Sequence, residues 1–181
     1  GGYTDKRSKK YLMIKGVFII NNHGQTRLGR FFLPTELHTQ QAVVRRIYRS
    51  VSARTDTMCN YLELNIEDWG DCKVVYRHYA TLYFIFIVDQ QESDLGILDL
   101  IQVFVEALDK CFENVCELDI IFHSDKVNFV LDEICAAGMV LETNIVQILQ
   151  AVHEQNKLHK KSEAVTLNVS DLSGKGGARS F

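Results

Sequence analysis

The run Leu82-Tyr83-Phe84-Ile85-Phe86-Ile87-Val88 constrains this chain more than any other feature. Its aromatic and β-branched residues suit a strand, and strand side chains alternate between two faces. Because every position is apolar, both faces must be covered, which places the strand in the centre of a sheet with packing on each side. The run is also far shorter than the roughly 20 apolar residues of a membrane-spanning helix. It is the longest uninterrupted apolar run in the 181 residues.

Neighbouring segments supply the rest of such a sheet. Residues 13–21 are apolar and β-branched, Asn22-His23-Gly24-Gln25 has turn chemistry, and residues 27–33 resume with Leu28 and Phe31-Phe32 before Pro34. Two strands around a short polar connection read as a hairpin, with Gly24 free to take a positive φ. Residues 39–54 carry Val44, Ile47, Tyr48 and Val51 at helical spacing, with Arg45, Arg46 and Arg49 on the opposite side. Strands are expected at 59–64 and 73–78, joined through a turn at Trp69-Gly70-Asp71, before the apolar strand at 81–88.

Helices follow. Ser93 or Asp94 is placed to cap residues 95–112. That segment carries one stripe of Ile97, Ile101, Phe104, Leu108 and Cys111 and a second set of Leu98, Val105 and Phe112. Apolar surface this broad predicts burial on two sides, against its own sheet and either against a partner or against the rest of its own domain. Residues 114–122 read as a connection, 125–137 as a helix ended by Gly138, and 144–161 as a last amphipathic helix. Short connections between strands imply an antiparallel sheet, and helices packed on it an α+β domain. Residues 1–12 are expected to be an N-terminal extension or an expression remnant, 13–161 the domain, and 162–181 a flexible polar tail.

Composition removes several classes of function. Five cysteines (Cys59, Cys72, Cys111, Cys116, Cys135) form no CxxC pair. They fit neither a disulfide framework nor a zinc site and imply a reducing compartment. Lys15 interrupts the apolar stretch behind Lys6, Arg7, Lys9 and Lys10, so no secretion signal is expected. Through Arg54 there are 11 basic and 2 acidic residues, and the remainder carries 9 and 21. The basic third suggests an anionic partner, whereas the acidic remainder argues against nucleic acid.

Enzyme motifs of the GxGxxG, phosphate-loop, HExxH and GxSxG kinds are missing. Gly174-Lys175-Gly176-Gly177 has phosphate-loop composition without a preceding strand or a following helix. A cysteine paired with His78 or His123 would be the only route to a thiol hydrolase, and none sits in a recognisable catalytic context. His78, beside Arg77 in a strand, is expected to be structural. No metal site and no cofactor are expected. These features alone describe an α+β interaction module and leave its partner open.

Three separated runs add a resemblance. Met13-Ile14-Lys15 leads to Asn22-His23-Gly24 and Arg27-Leu28. The second run is Val75-Tyr76-Arg77-His78-Tyr79-Ala80-Thr81-Leu82-Tyr83-Phe84. The third is Phe112-Glu113-Asn114-Val115-Cys116-Glu117-Leu118-Asp119, followed by Phe122 and Lys126-Val127. In this order, over 13–161, they resemble the small (sigma) subunits of the clathrin adaptor-protein complexes. The stretch from Glu92 to Glu106, with His78 and Thr81, is most similar to the sigma subunit of the third adaptor complex.

The resemblance implies a longin-like fold: a five-stranded antiparallel sheet flanked by helices, with extra C-terminal helices. It implies a non-enzymatic subunit of a heterotetramer, packed directly on a large delta-type subunit beside beta and medium subunits. Such a subunit is cytoplasmic and meets Golgi, endosomal and vesicle membranes indirectly, through the complex, in transport towards the lysosome or vacuole. It also implies binding of acidic dileucine sorting signals in the tails of membrane cargo. The matching pocket is Ala80, Leu82, Val105, Val115, Leu118 and Ile120, flanked by Tyr79 and Asn114, with Arg27 facing the signal's acidic residue. Asn22 stands where some relatives carry a basic residue, which weakens the field around Arg27. The rival reading is a free-standing longin-type regulator of membrane fusion or of a trafficking GTPase.

Overall fold

The computed structural model describes residues 14–55, 60–67, 69–136 and 138–173, with side chains to residue 166. Expectations for residues 1–12, for Cys59 and for the glycines of 174–177 lie outside the described residues. Five strands, β1 (Ile14–Asn21), β2 (Thr26–Phe31), β3 (Tyr61–Ile66), β4 (Gly70–Tyr79) and β5 (Leu82–Asp89), form one antiparallel sheet. Their order is β2-β1-β5-β4-β3, so the apolar run lies in the central strand.

Alternation along β5 builds two cores. Leu82, Phe84, Phe86 and Val88 point to one face, and Ile85 and Ile87 to the other. The second face is covered by α1 (Leu37–Ser52) through Val43, Ile47 and Val51. Val43, rather than Val44, leads that buried stripe; Val44 and Tyr48 are half-buried beside it. Arg45, Arg46 and Arg49 are exposed on the far side, as their spacing predicts. Gly24 takes φ +81° and lies so close to the Tyr48 ring that a Cβ would meet it at 2.8 Å.

The first face carries α2 (Asp94–Phe112), capped by Ser93, whose hydroxyl accepts from the Gly96 amide at 3.3 Å. Then come α3 (Glu117–Phe122), α4 (Ser124–Ile134) and α5 (Ile145–Ser173), with a two-stranded ladder of β6 (Cys135–Ala136) and β7 (Met139–Val140) between the last two. The breadth of α2 has an internal cause. One side of the helix meets Phe84 and Phe86 of the sheet, and the other meets Val127, Val130, Leu131 and Ile134 of α4 and Ile148 and Val152 of α5. The chain's own C-terminal helices therefore account for much of this apolar breadth, as for a helix central in its own domain, while Leu95 stays exposed.

Several further boundaries differ from expectation: α4 ends at Ile134, where Cys135–Ala136 turns into β6, and β4 begins at Gly70 inside the expected turn. The connection at 114–122 contains helix α3, and α5 runs to Ser173, past the expected end at 161. No proline or glycine, the residues that cost most inside a helix, occurs within α5. Beyond its docked first turns, residues 156–166 are exposed.

Polar contacts tie the layers together. Arg30 of β2 reaches Asp132 and Asn128 of α4, each at 2.6 Å. Lys15, buried near the start of β1, donates to the Trp69 carbonyl at 2.8 Å and pairs with Asp89 at 3.0 Å. His78 makes the expected hydrogen bond: its Nε2 lies 2.9 Å from Asn22 Oδ1, and its ring stacks on Tyr83.

Candidate functional site

The tip of the β1–β2 hairpin meets the start of α3. Asn21, buried at the last position of β1, accepts the amides of His23 and Gln25 on Oδ1, at 3.0 and 2.9 Å, and so shapes the turn. Its Nδ2 donates to Glu117 Oε1 at 2.7 Å and to Gln25 Oε1 at 2.9 Å. Arg27 joins the same two acceptors, with Nε 2.7 Å from Glu117 and Nη2 3.0 Å from Gln25. The hydrogen bonds from Asn21 and Arg27 hold the Glu117 carboxyl below the usual carboxylate range. A polar knot therefore joins residues far apart in the chain.

Beside it, the C-terminus of α2 is fastened to the end of β4. Tyr79 donates its hydroxyl to the Asp109 carboxylate at 2.9 Å, and Asp109 also accepts the Val115 amide at 2.9 Å. Between them the chain turns through two left-handed non-glycine residues, Glu113 (φ 52°) and Asn114 (φ 77°). Asp109 thus organises a reversal that glycine would ordinarily serve. Ala80, also left-handed at φ 52°, turns β4 into β5. Cys116 then starts α3: its amide donates to Asp119 Oδ2 at 3.0 Å, and this backbone hydrogen bond lowers the Asp119 pKa.

These contacts bring the nine expected site residues to one region, the junction of the β4–β5 turn, the end of α2, and α3. Their exposures differ. Leu82, Val105, Val115 and Ile120 belong to the core, with Val105 4% and Ile120 0% accessible, and Tyr79 packs against them. Ala80 and Asn114 are exposed, and Leu118 is 59% accessible. The expected apolar pocket is therefore closed in this conformation, and its four deepest members carry the packing of the domain.

Leu118 is one of a group. Ile121 and the 74% accessible Phe122 are exposed on the same short helix. Sequence reasoning missed them because residues 114–122 read as a connection. It also missed Asn21, Gln25, Asp109 and Glu117, whose roles depend on contacts made only in the folded chain.

Burial pushes the thiol pKa of Cys72 and Cys111 up, and that of Cys135 up to about 12. His123 stacks on Phe112, and Lys126 lies over that ring at 4.9 Å. Among the described residues no disulfide forms: Cys72, Cys111, Cys116 and Cys135 are all free. No described helix is long and apolar enough to cross a membrane.

Residues 13–159 match the family model described as the clathrin adaptor complex small chain. The chain is 54% identical to the human AP-3 complex subunit sigma-2 over 82% of this chain and 77% of that protein. It is 55% identical to the AP-3 complex subunit sigma of Dictyostelium discoideum, over 82% and 88%. For the subunit of that name in Arabidopsis thaliana, identity is 43% over 90% and 98%. Among solved structures, a chain in a homology model of the full-length AP-3 complex in a stretched open conformation is similar, with a TM-score of 0.64. The two are 41% identical over 84% of this chain and 98% of the other.

Proposed function

The chain belongs to the clathrin adaptor small-chain family, and from that premise we propose that it is the sigma subunit of an AP-3-type heterotetramer. In that role it packs directly on a large delta-type subunit, with beta and medium subunits completing the complex. The assembly selects membrane cargo for transport from the Golgi or endosomes towards the lysosome or vacuole. The subunit performs no catalysis and meets membranes through its partners.

The observation that carries this reading is identity of about one half to AP-3 sigma subunits across most of the chain. The site is consistent with it. Arg27 is paired with Glu117, the residue before exposed Leu118, and Leu82, Val105, Val115 and Ile120 lie in the core. Two signal leucines entering that region would each contribute about 1.5–3 kcal/mol of burial before association costs. Because these residues are packed in this conformation, entry of the leucines requires the packing around them to open. Signal binding is accordingly coupled to a conformational change.

Deletion of the gene tests the reading. Membrane cargo bearing acidic dileucine signals is expected to accumulate away from the lysosome or vacuole, and the wild-type chain is expected to restore its sorting. Normal sorting of all such cargo in the deleted strain would overturn the proposal.

A further inference from the structure

Arg27 reaches its intramolecular partners through Nε and Nη2, the two nitrogens on the side-on edge of the guanidinium. That edge is one that can hold a carboxylate by two parallel hydrogen bonds. Here it is occupied: Nε donates to Glu117, and Nη2 donates to Gln25. Asn21 holds both acceptors with its amide nitrogen, while its carbonyl oxygen is committed to the turn amides of His23 and Gln25. Asn21 is 2% accessible, so it cannot turn away without dismantling the hairpin tip. Glu117 is thus presented to Arg27 by a buried clamp, in the position an incoming carboxylate would take.

An acidic residue approaching Arg27 therefore meets a neutralised pair and the repulsion of Glu117. We infer that Glu117 is a specificity-determining residue, a built-in competitor that suppresses the preference of this site for an acidic residue ahead of the leucine pair. The inference rests on the dileucine-binding reading above and concerns its selectivity. A residue that merely positioned Arg27 would have the opposite effect, since its loss would weaken recognition of the acid. Replacing Glu117 with glutamine separates the two, because the amide oxygen still accepts from Asn21 and Arg27 while the charge is gone.

The test uses the full chain in its assembled adaptor complex and two short labelled peptides. Both peptides carry a Leu-Leu pair, with Glu in one and Gln in the other four positions before the first leucine. Fluorescence anisotropy gives the ratio of their Kd values. Glu117→Gln is expected to raise the preference for the acidic peptide by about two- to fivefold, the range of a partly exposed ion pair. Adding Arg27→Gln is expected to return the ratio to near one. Glu117→Ser, which also removes the charge, gives the same rise and serves if the Gln variant assembles poorly. An unchanged or reduced acidic preference, with both peptides still bound, overturns the inference alone. Binding of neither peptide by wild type or any variant removes the dileucine reading, and this inference with it.

Discussion

The Tyr79 hydroxyl lies 2.9 Å from an oxygen of Asp109, and that carboxylate also takes the Val115 amide. One acidic side chain thus joins the last residue of β4 to the segment leading into α3. Tyr79→Phe is expected to cost about 0.5–1.5 kcal/mol, the net value of one hydrogen bond. Asp109→Ala is expected to cost about 1–3 kcal/mol, because it also strips the Val115 amide of its partner. Urea denaturation of the two variants measures both. The hydrogen bond from Tyr79 to Asp109 also raises the Tyr79 pKa above 10.0. Its stabilisation is therefore complete below pH 10 and lost as pH rises through the folded value. Ultraviolet titration should show the phenol of Asp109→Asn ionising at lower pH than in wild type.

Glu117 has the opposite sign. Its carboxyl is held below 4.5, first by Asn21 and then by Arg27. The contribution to stability is present above pH 4.5 and disappears as pH falls through the lowered folded value. Urea midpoints measured from pH 7 down to pH 3 should fall less steeply for Glu117→Gln than for wild type.

Lys15 is buried, although its partner Asp89 is partly exposed. Burial opposes the charged form, but the hydrogen bond to Asp89 and the charges nearby prevail and raise the Lys15 pKa above 10.5. This stabilisation is fully present below pH 10.5 and fades as pH rises through the folded value. Lys15→Ala is expected to cost about 1–3 kcal/mol, less than breaking a fully buried pair, since Asp89 retains water. Thermal unfolding at neutral pH checks the magnitude.

Much of this architecture is legible in the residues themselves. The two-faced run at Leu82–Val88 identifies the central strand, because no other placement covers all seven side chains. Gly24 and Ser93 mark a turn and a cap where their chemistry predicts. The start of α3 is hidden, however: its cap is Cys116 answered by Asp119, and the reversal before it uses Glu113 and Asn114 instead of glycine. Apolar spacing finds α4 and α5 but cannot say what covers a helix, so their packing on α2 is not legible in it. The site shows the same limit. Arg27 and the apolar residues are named only through the family resemblance, and their burial, with the acid that holds Arg27, depends on contacts between distant segments.

That limit decides which residues can probe signal binding. Val105 lies in the core against the sheet, so Val105→Asp would bury an unpaired charge and unfold the domain. Leu118→Ala is expected to change stability by less than about 0.5 kcal/mol, whereas Ile120→Ala costs about 2–5 kcal/mol. Circular dichroism melts of the isolated full chain check this contrast. Leu118→Ala should nevertheless weaken binding of a dileucine peptide to the assembled complex.

Assembly is the most direct test of the adaptor assignment. The full chain would be co-expressed with the delta-type large subunit of its own organism, and the product weighed by size-exclusion chromatography with light scattering. A sigma subunit is expected to elute with the large chain as a stable one-to-one complex. A well-folded monomer that leaves the large chain unbound would contradict the assignment and favour a longin-type regulator acting alone.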